Sequence, residues 1–344
     1  MPNPPGRVLV VAPNWLGDAV MALPAVQTLR DHLPRAHFIV AARPSVAPLY
    51  AMVPGVDAVV QLESRGGLAH LRQWRGDAAR LAAERADLAV LLPNSFMSAF
   101  VVAEARIPER WGFATDLRGR YLTKAFRRPA TPVHQSDYYL ALTTAAGLAP
   151  SARVARVVVP TTALAAAATL APARDYVVLA PGAAYGRAKQ WPPERFAALA
   201  RALWLSRGVA SVLVGAGGDA AAGAELRHAL GAGAGGTDAA ASLVDLIGKT
   251  DLPTLAAVRA RARAVVANDS GAMHLAGAVG ARVVAIFGPT NERQTAPLSA
   301  ALDAPSHRLA IHHVWCRPCM LRECPLGHMC MRGVSPDDVA ALIP

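Results

Sequence analysis

The chain has 344 residues, with 35 Lys and Arg against 24 Asp and Glu, a formal net charge of +11, and 53% apolar residues of which few are aromatic. That length allows two domains, each able to bury its own core, and the composition excludes a disordered chain. No apolar run approaches the roughly 18 residues that span a bilayer, and the opening residues lack the apolar stretch of a signal peptide, so a cytoplasmic protein is expected.

The positive charge is almost wholly arginine, as only Lys124, Lys189 and Lys249 are lysines. Such a surface suits an anionic membrane face or an acidic substrate, or else reflects compositional bias alone. No lysine-rich tail, helix-turn-helix spacing or aromatic ribonucleoprotein motif accompanies it, so nucleic acid is not an expected partner.

Strand patterns at 8–12, 38–41, 58–62 and 88–92 alternate with helical patterns such as 20–32 and 68–85. This alternation predicts a parallel sheet covered on both faces. A less regular middle follows, in which the Pro- and Ala-rich segment 150–174 is the expected linker. A second series has strands at 176–180, 210–214, 264–267 and 283–287, with helices at 196–206 and 252–263. Two domains, 1–160 and 161–344, are therefore expected. Residues 231–236 read as a flexible loop, and 336–342 as a short last helix.

The first strand runs into Pro13-Asn14-Trp15-Leu16-Gly17-Asp18 and then a helix. Asp18 is either a helix-terminal capping residue or a single carboxylate acting as a base, with no second acid in the turn. After strand 176–180 comes a Gly-containing loop bearing Arg187 and Lys189, which suits a diphosphate or is simply a solvated loop. Pro192 and Pro193 then open a helix.

Residues 215–220 satisfy the dinucleotide fingerprint, but after the wrong strand of the unit, which leaves a nicotinamide-dependent oxidoreductase as an outside alternative. Asp219 in that loop is a candidate ribose-hydroxyl acceptor or a solvated carboxylate.

The richest segment is Asn268-Asp269-Ser270-Gly271-Ala272-Met273-His274, between two apolar strands. A strand, polar turn and helix in this order form an anion site, because free amides and the helix dipole point at the turn. Asp269 or Ser270 can cap the helix, Gly271 admits a ligand close to the backbone, and His274 lies one turn in. All four cysteines cluster as Cys316, Cys319, Cys324 and Cys330. They form either a structural zinc site of irregular spacing or a group of reduced, packed thiols.

Taken together, five segments in order resemble the lipopolysaccharide heptosyltransferases of glycosyltransferase family 9, in particular their second-enzyme type. They are residues 13–18, Leu92-Pro93-Asn94-Ser95-Phe96, Pro181-Gly182-Ala183 with Lys189 and Trp191, Asn268-Asp269-Ser270-Gly271 with Met273-His274, and Gly288-Pro289-Thr290. The resemblance implies a GT-B architecture of two Rossmann-like, doubly wound α/β domains facing across a cleft. The acceptor would lie on the N-terminal domain and the nucleotide sugar on the C-terminal one.

It further implies ADP-heptose as donor, an inner-core lipopolysaccharide acceptor already carrying one heptose on Kdo2-lipid A, and peripheral association with the inner membrane surface. A first-acting or later-acting heptosyltransferase of the same family is the nearest alternative. By the same resemblance Asp18 matches the general base and Lys189 the phosphate-binding lysine. Asp269, Ser270, Gly271 and His274 match the donor loop, Thr250 falls near the adenine, and Arg118 is an acceptor contact. No metal is expected in catalysis, as the chain has no Asp-x-Asp motif.

Overall fold

The computed structural model describes residues 4–63, 71–151, 153–232, 236–300 and 307–344. The chain divides into two compact units, 1–157 and 158–344. In the first, strands β1 (Arg7–Val11), β2 (His37–Ala42), β3 (Ala58–Gln61), β4 (Leu88–Leu91), β5 (Glu109–Phe113) and β6 (Lys124–Phe126) form a parallel sheet in the order β3-β2-β1-β4-β5-β6. In the second, β7 (Tyr176–Ala180), β8 (Ala210–Leu213), β9 (Leu243–Asp245), β10 (Ala264–Asn268), β11 (Val283–Phe287) and β12 (His307–Ile311) form another, in the order β12-β11-β10-β7-β8-β9. Counted from the first strand of each unit, the two orders are the same doubly wound arrangement.

The apolar runs become strands because both sheet faces are covered. In the second unit Val177, Leu179, Val266 and Ile286 enter one core, while Tyr176, Val178, Val265, Ala267 and Phe287 enter the core on the opposite face. A period of two then buries every residue, and the strand reads as a continuous apolar run. In the first unit Leu9, Val11, Ile39, Ala41, Ala89 and Leu91 share one core.

The structure departs from the expected elements in several places. The helix expected at 20–32 is two, Leu16–Met21 and Leu23–His32, with Pro24 in the first turn of the second. That proline lacks an amide for a continuing helix but is tolerated at a new start. The helix expected at 68–85 spans Leu71–Ala83, its first three residues lying outside the described ones. Residues 233–235 of the expected loop 231–236 are likewise outside them. Within the expected linker, Thr161–Leu170 is helical and packs Ala163 and Ala167 into a core of the second unit.

Strands β5, β6, β9 and β12 lack the apolar runs that mark the others; β6, β9 and β12 are edge strands and β5 lies beside one, where polar residues are tolerated.

Among the described residues no helix is long and apolar enough to cross a membrane. Each sheet has a switch point, between β1 and β4 and between β7 and β10, where successive connections leave in opposite directions. In sheets of this order ligands bind at that point, at the carboxyl ends of the strands.

Candidate active site

In the first unit, the carboxyl end of β1 delivers the chain into the helix Leu16–Met21. Trp15 occupies its N-cap position without a side-chain capping bond, and Asp18 lies in the first turn. Asp18 is therefore not the cap. Its carboxylate is half-buried, near the positive end of the helix dipole, and accepts a hydrogen bond from Tyr139 Oη at 3.5 Å. Tyr50 is packed alongside, its Oη donating to the Ala19 carbonyl at 3.3 Å.

Burial first, and then the negative charge of Asp18, raise both phenols well above the ordinary tyrosine value. They stay neutral donors, which leaves the carboxylate as the group able to accept a proton here.

The neighbouring strand end, after β4, carries Pro93 and Asn94, and Ser95 caps the helix Phe96–Glu104. Asn94 Nδ2 donates to Tyr138 Oη at 2.7 Å, and its backbone carbonyl accepts from Thr115 Oγ1 at 2.9 Å.

Arg118, an acceptor contact by the resemblance, lies between the ends of β4 and β5. It is fully buried; Nε donates to the Phe113 carbonyl at 2.9 Å, and Nη1 donates to the Pro93 carbonyl and to Ser98 Oγ. Burial lowers its guanidinium to about 10, so it remains charged at neutral pH. Its side chain ties the ends of β4 and β5 together, while Nη2 is buried with no hydrogen-bond partner. The exposed arginine of this segment is Arg120, stacked 5.5 Å from the Phe96 ring centre and 5.0 Å from that of Tyr121.

In the second unit, the loop after β7 carries Lys189 at the end of a single helical turn, Arg187–Lys189. Lys189 Nζ reaches across to the loop after β10 and donates to Asp269 Oδ2 at 2.7 Å. The same oxygen accepts from Thr290 Oγ1 at 2.6 Å. Asp269 therefore does not cap the helix. Ser270 takes the N-cap position of the helix Gly271–Ala278, again without a side-chain capping bond, and its Oγ is buried with no hydrogen-bond partner.

A helix start with its first amides and a serine hydroxyl unspent, beside an ammonium group, is suited to a phosphate. His274 is buried one turn into that helix.

Two residues that sequence reasoning left without roles build this corner. Asn268 is fully buried; its Oδ1 accepts from the Trp191 amide at 3.0 Å and its Nδ2 donates to the Pro181 carbonyl at 2.7 Å. It thus pins both ends of the lysine loop to β10. Thr290, at the end of β11, joins through Asp269. Both lie inside the quoted motifs, so their presence was visible, but their partners are distant in sequence.

Asp219 lies beside the same strand ends. Its Oδ2 accepts from the Ala216 amide at 2.8 Å, and its carboxylate fills the space that a Cβ at Gly182 would need. The turn Gly217–Asp219 follows β8, whereas the dinucleotide fingerprint belongs after the first strand of such a unit, here β7. Thr250 is half-buried after β9, just before Asp251, which caps the helix Leu252–Ala260 by accepting from Thr254 N at 2.8 Å.

All four cysteines are free, and among the described residues no three His, Cys, Asp or Glu side chains come together as a metal site would need, which favours the packed-thiol reading over structural zinc. Cys324 Sγ instead accepts from the amides of Leu326 at 3.4 Å and His328 at 3.3 Å. Cys330 is packed in a core, and burial raises its thiol.

What this segment contributes is backbone. The Arg322 carbonyl accepts from Ala188 N at 2.9 Å, Tyr185 Oη donates to the Met320 carbonyl at 2.8 Å, and Met320 N donates to the Pro289 carbonyl at 2.9 Å. Residues 320–322 are thereby laid along the lysine loop and the Gly288-Pro289-Thr290 turn.

The sequence profile of glycosyltransferase family 9 (heptosyltransferase) matches residues 77–330. The chain belongs to glycosyltransferase family 9. It is 31% identical over 305 residues to lipopolysaccharide heptosyltransferase 2 of Escherichia coli, covering 85% of this chain and 86% of that one. To lipooligosaccharide heptosyltransferase 2 of Haemophilus influenzae it is 32% identical over 313 residues, with the same coverage.

The solved structure of E. coli ADP-heptose lps heptosyltransferase II superposes with a TM-score of 0.81 at 28% identity, over 98% of this chain and 97% of that one. An E. coli heptosyltransferase with ADP shares the fold, with a TM-score of 0.73 at 17% identity over 98% of both chains. The two Rossmann-like sheets of this family 9 glycosyltransferase are thus the GT-B architecture, and the oxidoreductase alternative is not favoured.

Proposed function

We propose that the protein transfers L-glycero-D-manno-heptose from ADP-heptose to the first heptose of the lipopolysaccharide inner core, on Kdo2-lipid A, with inversion at the anomeric carbon. The observation that carries this reading is the corner at the second switch point, where Lys189 and the unspent start of the helix Gly271–Ala278 converge. That corner suits the diphosphate of a nucleotide sugar. The relatives named above share the second-enzyme description, which favours a heptosylated acceptor over Kdo2 alone.

In this reading Asp18 removes the proton from an acceptor hydroxyl as the oxygen attacks the anomeric carbon opposite the diphosphate. The neutral Tyr139 phenol orients the carboxylate. The bond to the diphosphate breaks, and the charge gathering on the departing ADP is met by Lys189, the amides at Ser270 and Gly271, and the Ser270 hydroxyl. Donors fixed beforehand where charge develops stabilise the transition state more than the ground state. In the same reading Asp219 and Thr250, on the β8 and β9 side of the corner, meet the ribose and adenine, and His274 meets the sugar or diphosphate. The acceptor is a lipid, so the enzyme works at the inner face of the cytoplasmic membrane, where each nearby cation adds about 1 kcal/mol of attraction.

The test is ADP release from ADP-heptose with two acceptors offered separately, Kdo2-lipid A with and without one heptose. Turnover with the heptosylated acceptor alone is expected. Turnover only with the unheptosylated acceptor would move the enzyme to the preceding step, and turnover with neither would overturn the reading.

A further inference from the structure

Strands β11, β10 and β7 are adjacent in the second sheet, and each sends one polar side chain from beyond its carboxyl end into a single hydrogen-bonded row. Thr290 follows β11, Asp269 follows β10, and Lys189 lies on the loop after β7. The row meets at one atom: Asp269 Oδ2 accepts from Thr290 Oγ1 at 2.6 Å and from Lys189 Nζ at 2.7 Å. Thr290 is 2% exposed and Asp269 4%. A carboxylate so enclosed must keep its hydrogen bonds, because water cannot replace them.

We infer that Thr290 is a positioning residue for the diphosphate-binding lysine, holding Asp269 so that Lys189 can turn toward a phosphate without stranding a buried carboxylate. This rests on the reading of Lys189 as the donor's phosphate ligand. An ammonium group has three N–H donors, and an arriving diphosphate competes with Asp269 for them. With the threonine hydroxyl in place, Oδ2 retains a neutral donor whichever way the lysine leans. Without it, Oδ2 depends on Lys189 alone, and each hydrogen bond that the lysine gives to phosphate is taken from a buried anion.

The hydroxyl is held in register by the turn that bears it. The Thr290 carbonyl accepts from Arg317 Nη2 at 3.1 Å, the Gly288 carbonyl accepts from Arg317 Nε, and the Pro289 carbonyl accepts from the Met320 amide. Arg317 is in turn paired with Glu292 at 3.0 Å. The threonine therefore cannot follow the lysine and stays with the carboxylate.

The experiment is calorimetric titration of ADP into the full chain and into Thr290→Ser, Thr290→Val, Lys189→Ala and the Lys189→Ala/Thr290→Val double variant. Thr290→Val is expected to weaken ADP about tenfold, the effect of deleting one hydrogen bond to a buried charge. Thr290→Ser, which keeps the hydroxyl, should stay within about twofold of the unsubstituted chain, and Thr290→Val added to Lys189→Ala should cost less than about twofold more.

That non-additivity separates action through the lysine from a merely structural role. Equal losses in both backgrounds, or no loss in Thr290→Val, would overturn the inference alone. Failure of the unsubstituted chain to bind ADP would overturn the functional reading and the inference with it. Thr290→Ala serves in place of valine if circular dichroism shows the latter unfolded.

Discussion

At the scale of single residues, the two candidate groups with chemistry to perform are Asp18 and Lys189, and substitutions separate their roles. Asp18→Asn keeps size and hydrogen bonding to Tyr139 but cannot take a proton. It should lower kcat by about 10² to 10⁴ while leaving ADP affinity unchanged by calorimetry. Lys189→Ala removes a cation from the point where charge develops, so donor KM should rise and kcat fall by about 10² to 10³ in steady-state assays. Arg118 is a different case. Buried against the Phe113 and Pro93 carbonyls, it supports the scaffold, and Arg118→Met should cost about 1 to 3 kcal/mol for each carbonyl left without a partner. Urea unfolding reads that loss, and ADP affinity should not change.

At the scale of elements, the second site is a set of three turns held by side chains that are distant in sequence. Asn268 pins the ends of the lysine loop, Thr290 joins the β11 turn to the β10 turn, and residues 320–322 lie along the outside. Lys189 Nζ also lies 4.6 Å from the centre of the Tyr185 ring, and Arg322 stacks 5.1 Å from the same ring. The fit is close at Gly186, where a Cβ would overlap the Arg322 carbonyl. A backbone atom cannot rotate away as a side-chain end does. Gly186→Ala should therefore shift the lysine loop and raise donor KM with little change in the melting temperature.

At the scale of the whole molecule, three buried tyrosines tie stability to alkaline pH. Burial, reinforced by Asp18, raises Tyr50 and Tyr139 far above 10.0, and burial raises Tyr176 to about 12. In each case the folded state holds a proton that the unfolded state releases near pH 10. Stability is therefore intact below pH 10 and falls as pH rises beyond it, through about 12 for Tyr176. Ultraviolet titration should show Tyr50, Tyr139 and Tyr176 ionising only as circular dichroism reports unfolding; ionisation with the fold intact would contradict the burial.

The sequence by itself determined the sheet centres, the two-unit organisation and the position of the anion-binding turn. Buried parallel strands need continuous apolar runs, and a strand, polar turn and helix form a local pattern readable within about ten residues. It also placed Asp18, Lys189 and Asp269 in the turns where they are found, since those turns follow directly from strand ends. Only the tertiary structure decided what each side chain touches. It buried Arg118 against two carbonyls, gave Asp269 to Lys189 rather than to helix capping, packed Cys330 into a core, and joined Thr290 to Lys189 through Asp269. Each of those outcomes depends on partners from other strands, brought together by the order of strands in the sheet, and no spacing along one chain encodes that neighbourhood locally.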